Sequence, residues 1–422
     1  MRIAAPTTRE FWVIVHRWAG LAMAGFLVIV GLTGSLLAFN TELERVFAPE
    51  LFAKPRPNLP RLDLATLADR ASALVPQGRV TSVTLAEPDQ VSVYFEPKRD
   101  PKTGRPFDLG FSEFFVDPWT GAELGHRQRG NLLEGMKNVM PFIYELHWTL
   151  ALGSTGQWIL GLVALLWTVD CFAGAYLTLP RFGPGFIGRW GRAWRVKRTR
   201  NTVRLNYDMH RAGGLWPWAL LFVFAWSSVM MNIRPVYEFV MSRVFDYHSE
   251  MELFQPRSAR RNSPLLDWHA AEATGKKLMD ESARSQAFAV GEHLGLSYFA
   301  ATGEYLYEAR GSRDLFERSP KGGGTFVMFD GNSGELHSLF QPTGEHSGNT
   351  IESWLYALHM ARVYGRTYQI LVALLGLAVA SLSFTGVLVW TAKRRARHRD
   401  RNGRHARTSV VPSLPTSDVA ES

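Results

Sequence analysis

Four histidines carry the chemistry that this sequence offers, and they come as two spaced pairs. His16-Arg17-Trp18-Ala19-Gly20-Leu21 recurs as His210-Arg211-Ala212-Gly213-Gly214-Leu215, an offset of 210 − 16 = 194, and each copy opens an apolar run. Tyr144-Glu145-Leu146-His147-Trp148 recurs as Tyr356-Ala357-Leu358-His359-Met360 at an offset of 359 − 147 = 212, and each copy precedes such a run. At the same offset Gly153, Thr155, Gln157 and Gly174 return as Gly365, Thr367, Gln369 and Gly386, so the chain is an internal duplication. A neutral imidazole is a good iron ligand. Two imidazoles facing one another supply the two axial ligands of a haem iron.

The elements that must position these rings are apolar runs at about Phe11 to Phe39, Gln157 to Leu179, Leu215 to Ile233 and Tyr368 to Trp390. Each has the roughly 20-residue length that crosses ~30 Å of hydrocarbon. Four transmembrane helices are expected, over 11–39, 157–179, 213–233 and 368–391. The first follows Arg2 and Arg9 but is too long for a cleaved leader and ends in no small-x-small site, so it is read as a signal anchor. A chain of 422 residues with 46% hydrophobic residues and 14 Trp suits membrane spans with aromatic belts better than one soluble domain.

Orientation follows from the short basic segments. Residues 180–209 carry Arg181, Arg189, Arg192, Arg195, Lys197, Arg198, Arg200 and Arg204 with no acidic residue before Asp208, and the tail, 392–422, repeats the pattern from Lys393 to Arg407. Both face the cytoplasm on this rule, which puts both termini inside and the two long polar segments, 40–146 and 234–358, outside. The tail is expected to be disordered. These basic runs adjoin membrane spans and have no fold around them, so the partner implied by the net charge of +9 is the lipid bilayer and not nucleic acid. Both halves then start on the same side of the membrane and are related by an approximate two-fold axis along its normal. His16 should face His210 near the cytoplasmic surface, and His147 should face His359 near the outer one. Cys171 is the only cysteine, which excludes a disulfide framework, a thiol-redox pair and an iron–sulfur cluster within this chain.

The polar segments duplicate too. Phe115-Val116-Asp117-Pro118-Trp119-Thr120-Gly121-Ala122-Glu123-Leu124 resembles Met328-Phe329-Asp330-Gly331-Asn332-Ser333-Gly334-Glu335-Leu336, a strand, an Asp/Gly turn and a second strand. Alternating runs at 80–85, 91–95 and 305–309 predict further strands. Helices are expected over 63–74 and 268–282. Each segment is thus read as a small α+β domain, one helix on an antiparallel sheet.

Over roughly Phe11 to Trp390 this arrangement resembles the PepSY-associated transmembrane proteins of Gram-negative inner membranes, in which paired PepSY-like domains lie between four helices. The His-Arg-x-x-Gly openings, the Leu-His elements and the Asp-x-x-x-Gly hairpins carry the resemblance. Several members of that family are ferric-siderophore reductases that bind haem b through helix histidines. The resemblance therefore implies one or two haem b groups, with His16, His210, His147 and His359 on the iron. It also implies a ferric siderophore as the external acceptor. No flavin or nicotinamide fingerprint is present, so electrons must come from an unidentified donor on the cytoplasmic side; Gly183 to Gly188 follows a span and contains Pro184, which removes it as a dinucleotide loop.

Other residues have two readings each. Gly20, Gly31, Gly34, Gly153, Gly174 and Gly386 let helices approach closely or make room for a macrocycle. Arg17 and Arg211 pair with propionates or simply sit at an interface, and Tyr144 and Tyr356 are belt residues or electron relays. His126, His248, His269, His293, His337 and His346 read as ordinary surface residues. Against the electron conduit stands a regulatory or scaffolding protein that binds an external partner with the same soluble domains. A transporter is disfavoured, because Asp170, Thr33, Ser35, Ser227, Ser228, Ser381 and Ser383 make a sparse polar path.

Overall fold

A computed structural model describes residues 8–249, 264–315 and 324–408. The first half runs α1 (Thr8–Leu37), α2 (Asn40–Phe47), α3 (Leu64–Leu74), β1 (Gly78–Glu87), β2 (Gln90–Pro97), β3 (Glu113–Val116), β4 (Glu123–Arg127), α4 (Val139–Thr149) and α5 (Gly153–Thr178). After a short α6 (Phe186–Trp190) come α7 (Thr202–Leu215), α8 (Trp218–Asn232), α9 (Arg234–Val244), α10 (Trp268–Gln286), β5 (Val290–Phe299), β6 (Glu304–Gly311), β7 (Thr325–Asp330), β8 (Leu336–Phe340), α11 (Ser347–His359) and α12 (Gly365–Thr408). The chain divides into two compact units. One comprises residues 8–28, 169–218 and 378–408, the other 29–168 and 219–377.

Among the described residues three helices are long and apolar enough to cross a membrane, α1, α5 and the stretch Gly365–His398 of α12, with a fourth if α7 and α8 together count as one bent span. The chain is a membrane protein with a sheet-bearing region. The third run differs from the expected single helix over 213–233, because α7 and α8 meet at a bend of 68°. Pro217 sits in the break. It has no N–H to donate and its ring clashes with the carbonyl four residues back. The equivalent residue of the first half, 194 positions earlier, is Met23, and α1 runs straight through it. The part of the basic tail that is described also departs from expectation, because α12 continues to Thr408; residues 409–422 of that tail lie outside the described residues. Its Arg, Ala and Lys residues are good helix formers that extend a helix already nucleated.

The two soluble segments were expected as separate domains, and their strands instead form one eight-stranded antiparallel sheet in the order β4-β3-β2-β1-β5-β6-β7-β8. The seam is the pairing of β1 with β5, through Ser82 with Ser297, Val83 with Leu296 and Thr84 with Gly295. Across it the hydroxyls of Ser82 and Ser297 lie 2.7 Å apart. A single apolar core spans both halves, drawing Leu67, Val83 and Val93 from the first and Leu296, Tyr307 and Phe329 from the second. α3 and α10 pack together over it, and Glu272 of α10 accepts a hydrogen bond from the Ala65 amide at the start of α3, 2.8 Å away.

The two Asp/Gly turns are built alike. Asp117 Oδ1 accepts from the amides of Trp119 and Thr120, and Asp330 Oδ1 from those of Asn332 and Ser333. Gly121 and Gly334 then take φ of 64° and 74°, a left-handed conformation that glycine adopts without a Cβ penalty. Each soluble half is closed by a short helix ending at a Leu-His element, α4 or α11, and a tight connection into a long helix. Those connections hold Leu150 and Ala151 in one half, and Ala361 and Tyr364 in the other, at φ of 54–58°. Non-glycine residues in that region cost of order 1–2 kcal/mol each, and both halves keep them beside the histidines.

Leu296 is fully buried at the seam. Leu296→Ala is expected to cost about 2–5 kcal/mol and to lower the thermal unfolding midpoint of the detergent-solubilised chain. A loss below about 1 kcal/mol would mean that the sheet does not depend on its middle.

Candidate functional site

In the first unit, α1 carries His16 and α7 carries His210, with ring centres 6.1 Å apart and planes inclined by 51°. His16 Nδ1 lies 2.8 Å from Asp170 Oδ1 on α5. His210 Nδ1 lies 3.1 Å from the Leu382 carbonyl and 3.3 Å from Thr385 Oγ1, both on α12. In the second unit, α4 carries His147 and α11 carries His359, with ring centres 6.3 Å apart and planes inclined by 68°. His147 Nδ1 lies 2.9 Å from Thr33 Oγ1 on α1, and His359 Nδ1 lies 2.7 Å from Ser227 Oγ on α8. The four residues picked from the sequence are thus brought together as His16 with His210 and His147 with His359.

The partners assign the tautomers. A carboxylate and a main-chain carbonyl only accept, so His16 and His210 donate from Nδ1–H. Thr33 Oγ1 already donates to the Ile29 carbonyl at 2.7 Å, and Ser227 Oγ to that of Phe224 at 3.1 Å, so each hydroxyl receives the histidine proton through its lone pair. In the neutral form of each ring, hydrogen on Nδ1 leaves the lone pair on Nε2. This is the state in which imidazole binds a metal, with the other nitrogen fixed by an acceptor.

The spacing fits a metal as well. With metal–nitrogen bonds of about 2 Å and a ring centre about 1.2 Å behind each ligating nitrogen, imidazoles trans on one iron stand about 6.4 Å apart. Both observed pairs are within a few tenths of an ångström of that.

Sequence reasoning left the glycines open, and the structure separates them. A Cβ on Gly174 would lie 3.4 Å from His16 Cε1, on Gly386 3.2 Å from His210 Cε1, and on Gly34 3.0 Å from His147 Cε1. These three make room for the imidazoles themselves. Gly31 serves helix packing instead: its carbonyl would be 2.4 Å from a Cβ on Gly376, and Ser35 beside it donates to the Ala373 carbonyl across the same crossing. Gly153 is a turn residue at φ 57°, and nothing lies within 4 Å of a Cβ on Gly20.

The two arginines also part. Arg211 is spent on the chain itself, donating to Asp208, which is fully buried, and to the carbonyls of Arg192, Ala193 and Arg195. Arg17, next to His16, has a buried Nε with no partner among the described residues. Tyr144 lies under the Arg129 guanidinium at 4.9 Å, and Tyr356 packs among the apolar residues around Ala357 and Leu355.

The Nδ1 partners were not picked as site residues from the sequence. The repeat offsets contained them: Thr33 and Ser227 differ by 194, and Asp170 and Leu382 by 212. Applying each histidine offset to the polar residues of the apolar runs would have found Thr33 and Ser227. It would have missed Leu382, whose contribution is a main-chain oxygen.

If the Nδ1 bonds hold the rings, Ser227→Ala strands a donor in a closed site at about 1–3 kcal/mol. Ser383→Ala, whose hydroxyl among the described residues donates to the Val379 carbonyl of its own helix, should leave the unfolding midpoint nearly unchanged. Equal midpoints for the two variants would refute the assignment of Ser227.

The family model described as the PepSY-associated TM region matches residues 13–393. No curated protein matches the chain.

Proposed function

The chain belongs to the PepSY-associated transmembrane family, and on that premise we propose that it is an inner-membrane haem-b electron conduit. It takes electrons from a donor on the cytoplasmic side and reduces a periplasmic acceptor, a ferric siderophore. Four spans, cytoplasmic termini and a periplasmic sheet are part of this reading, which rests on the distribution of basic residues. The observation that carries it is the pair of ring separations, 6.1 and 6.3 Å, in rings whose free nitrogen is Nε2.

His16 with His210, and His147 with His359, would each hold one haem b, and a bound haem would supply one-electron transfer there. The chain's own groups do the rest. Asp170, the Leu382 carbonyl, Thr33 and Ser227 keep the proton on Nδ1 and the ring planes fixed. Gly174, Gly386 and Gly34 allow the rings to sit against the helices. Arg17 offers its unpaired guanidinium nitrogen to a carboxylate. The Phe224 ring, 4.7 Å from that of His359, helps exclude water. The second unit holds both the sheet and the His147–His359 pair, so an acceptor resting on that unit would meet this pair first. Lowering Fe(III) to Fe(II) weakens the hold of hard oxygen ligands and frees the metal.

The purified chain should show a b-type absorption band on reduction, with two haem equivalents. His16→Ala or His210→Ala should remove one equivalent, and His147→Ala or His359→Ala the other. A protein that folds and takes up no haem would be a non-redox binding protein, and this reading would be wrong.

Direction is tested separately. Proteoliposomes with reductant inside, and a ferric siderophore plus an impermeant Fe(II) chelator outside, should develop the Fe(II) colour outside. The His359→Ala protein should lose most of it; colour confined to the lumen would reverse the proposed direction.

A further inference from the structure

His248 and His346, read from the sequence as ordinary surface residues, meet Asp246 at one point of the second unit. Asp246 and His248 follow α9, and His346 caps the start of α11 almost a hundred residues later. Asp246 Oδ2 lies 2.8 Å from His346 Nδ1, and Asp246 Oδ1 lies 3.3 Å from His248 Nε2. The two imidazole centres are 4.0 Å apart. One donor atom from each residue falls within 4.8 Å of the other two.

The backbone around this point is tied from both sides. The Gly348 amide donates to the Asp246 carbonyl at 2.8 Å. Asn349 brackets His248, its Oδ1 accepting from the His248 amide at 3.0 Å and its Nδ2 donating to the His248 carbonyl at 2.7 Å. Tyr247, between the two ligand candidates, points the other way: its ring packs on Tyr237 and its hydroxyl accepts from Arg234 Nη2 at 3.2 Å. That anchor turns Asp246 and His248 outward together. Gly348 is required for the approach, because a Cβ there would lie 2.7 Å from Tyr247 Cβ.

We propose that Asp246, His248 and His346 bind one divalent first-row transition-metal ion of the zinc type. Metal–ligand bonds of about 2.0–2.2 Å place the donors of a tetrahedral site about 3.3 Å from one another; the carboxylate–imidazole separation to His248 equals that value at 3.3 Å, and the one to His346 is shorter at 2.8 Å. Two imidazoles and a carboxylate suit Zn(II), Ni(II) or Fe(II) and not Mg(II) or Ca(II), which take oxygen donors. The three side chains are 37–60% exposed, so a fourth position is left to water or to an incoming ligand. Stability is no sufficient reason for the arrangement, since an exposed ion pair is worth little. Two chain segments locked together by a reciprocal asparagine and an obligatory glycine hold the donors in place before any ion arrives. The site is independent of the electron-transfer reading.

The test is Zn(II) binding to the full chain in detergent at neutral pH, followed by competition with a chromophoric chelator. The unaltered protein should bind one equivalent more than His248→Ala or His346→Ala, and Asp246→Asn should weaken that equivalent by at least about tenfold. Co(II) should give the intense visible bands of a four-coordinate site in the unaltered protein and not in these variants. His147→Ala should keep the equivalent, which separates this site from the histidine pairs. A hundredfold excess of Mg(II) should not displace it. Equal Zn(II) stoichiometry in the unaltered and His248→Ala proteins, or displacement by Mg(II), would overturn the proposal. Because Asp246→Asn changes no volume and the three residues are exposed, misfolding cannot mimic the expected loss; an unchanged unfolding midpoint accompanies it.

Discussion

An imidazole inside a protein needs an acceptor for its N–H, and the arrangement of helices here supplies one four times. Each ring has two nitrogens, and fixing an acceptor on one of them decides where the proton sits and where the other lone pair points. The acceptors come from neighbouring helices: α5 for His16, α12 for His210, α1 for His147 and α8 for His359. Helix packing within each unit is therefore tied to the state of the rings. The strained connections after α4 and α11 belong to the same constraint. They follow each short helix just after its histidine, α4 ending at Thr149 and α11 at His359, and the cost of left-handed Leu150, Ala151, Ala361 and Tyr364 is tolerated in both halves.

Duplication explains the symmetry, and its departures carry as much meaning. Thr33 and Ser227 are equivalent and do the same task with equivalent hydroxyls. Asp170 and Leu382 are equivalent in position only: a carboxylate side chain serves His16, while the main-chain oxygen of an apolar residue serves His210. The two rings of that pair thus sit in unequal fields, one beside a charge and one beside a dipole. Pro217 opposite Met23 is a second departure, and it bends the second copy of the helix where the first is straight.

Much of this was legible in the sequence, for definite reasons. A repeat written twice in the same order fixes which histidines can face each other, and His16, His210, His147 and His359 needed no knowledge of packing. The turns at Asp117 and Asp330 were legible because side-chain bonding to the local backbone is a short-range property. The joining of the two sheets was not, because alternation along β1 and β5 says that each is a strand and not which strand lies beside it. Pro217 was visible, but hydropathy averages over it and reported one span. The cluster of Asp246, His248 and His346 was invisible for the opposite reason: His346 is about a hundred residues from the other two, and the three share no offset with any repeat. His269, likewise taken as a surface residue, pairs with exposed Asp69.

The seam between β1 and β5 bears on how the protein is made. Ser82 and Ser297 are 215 residues apart, and between them the ribosome must deliver α5 through α10. Until that has happened, the first four strands exist with one flank of β1 bare, a row of unpaired amides and carbonyls beside an unfinished apolar layer. Closing a sheet over so long a separation is slow compared with forming hairpins. Because the halves are equivalent in design, the flank fits β5 of its own chain and β5 of any other copy being made nearby. The three-residue pairing at the seam is short, and a short edge holds such exchange in check until the second half arrives.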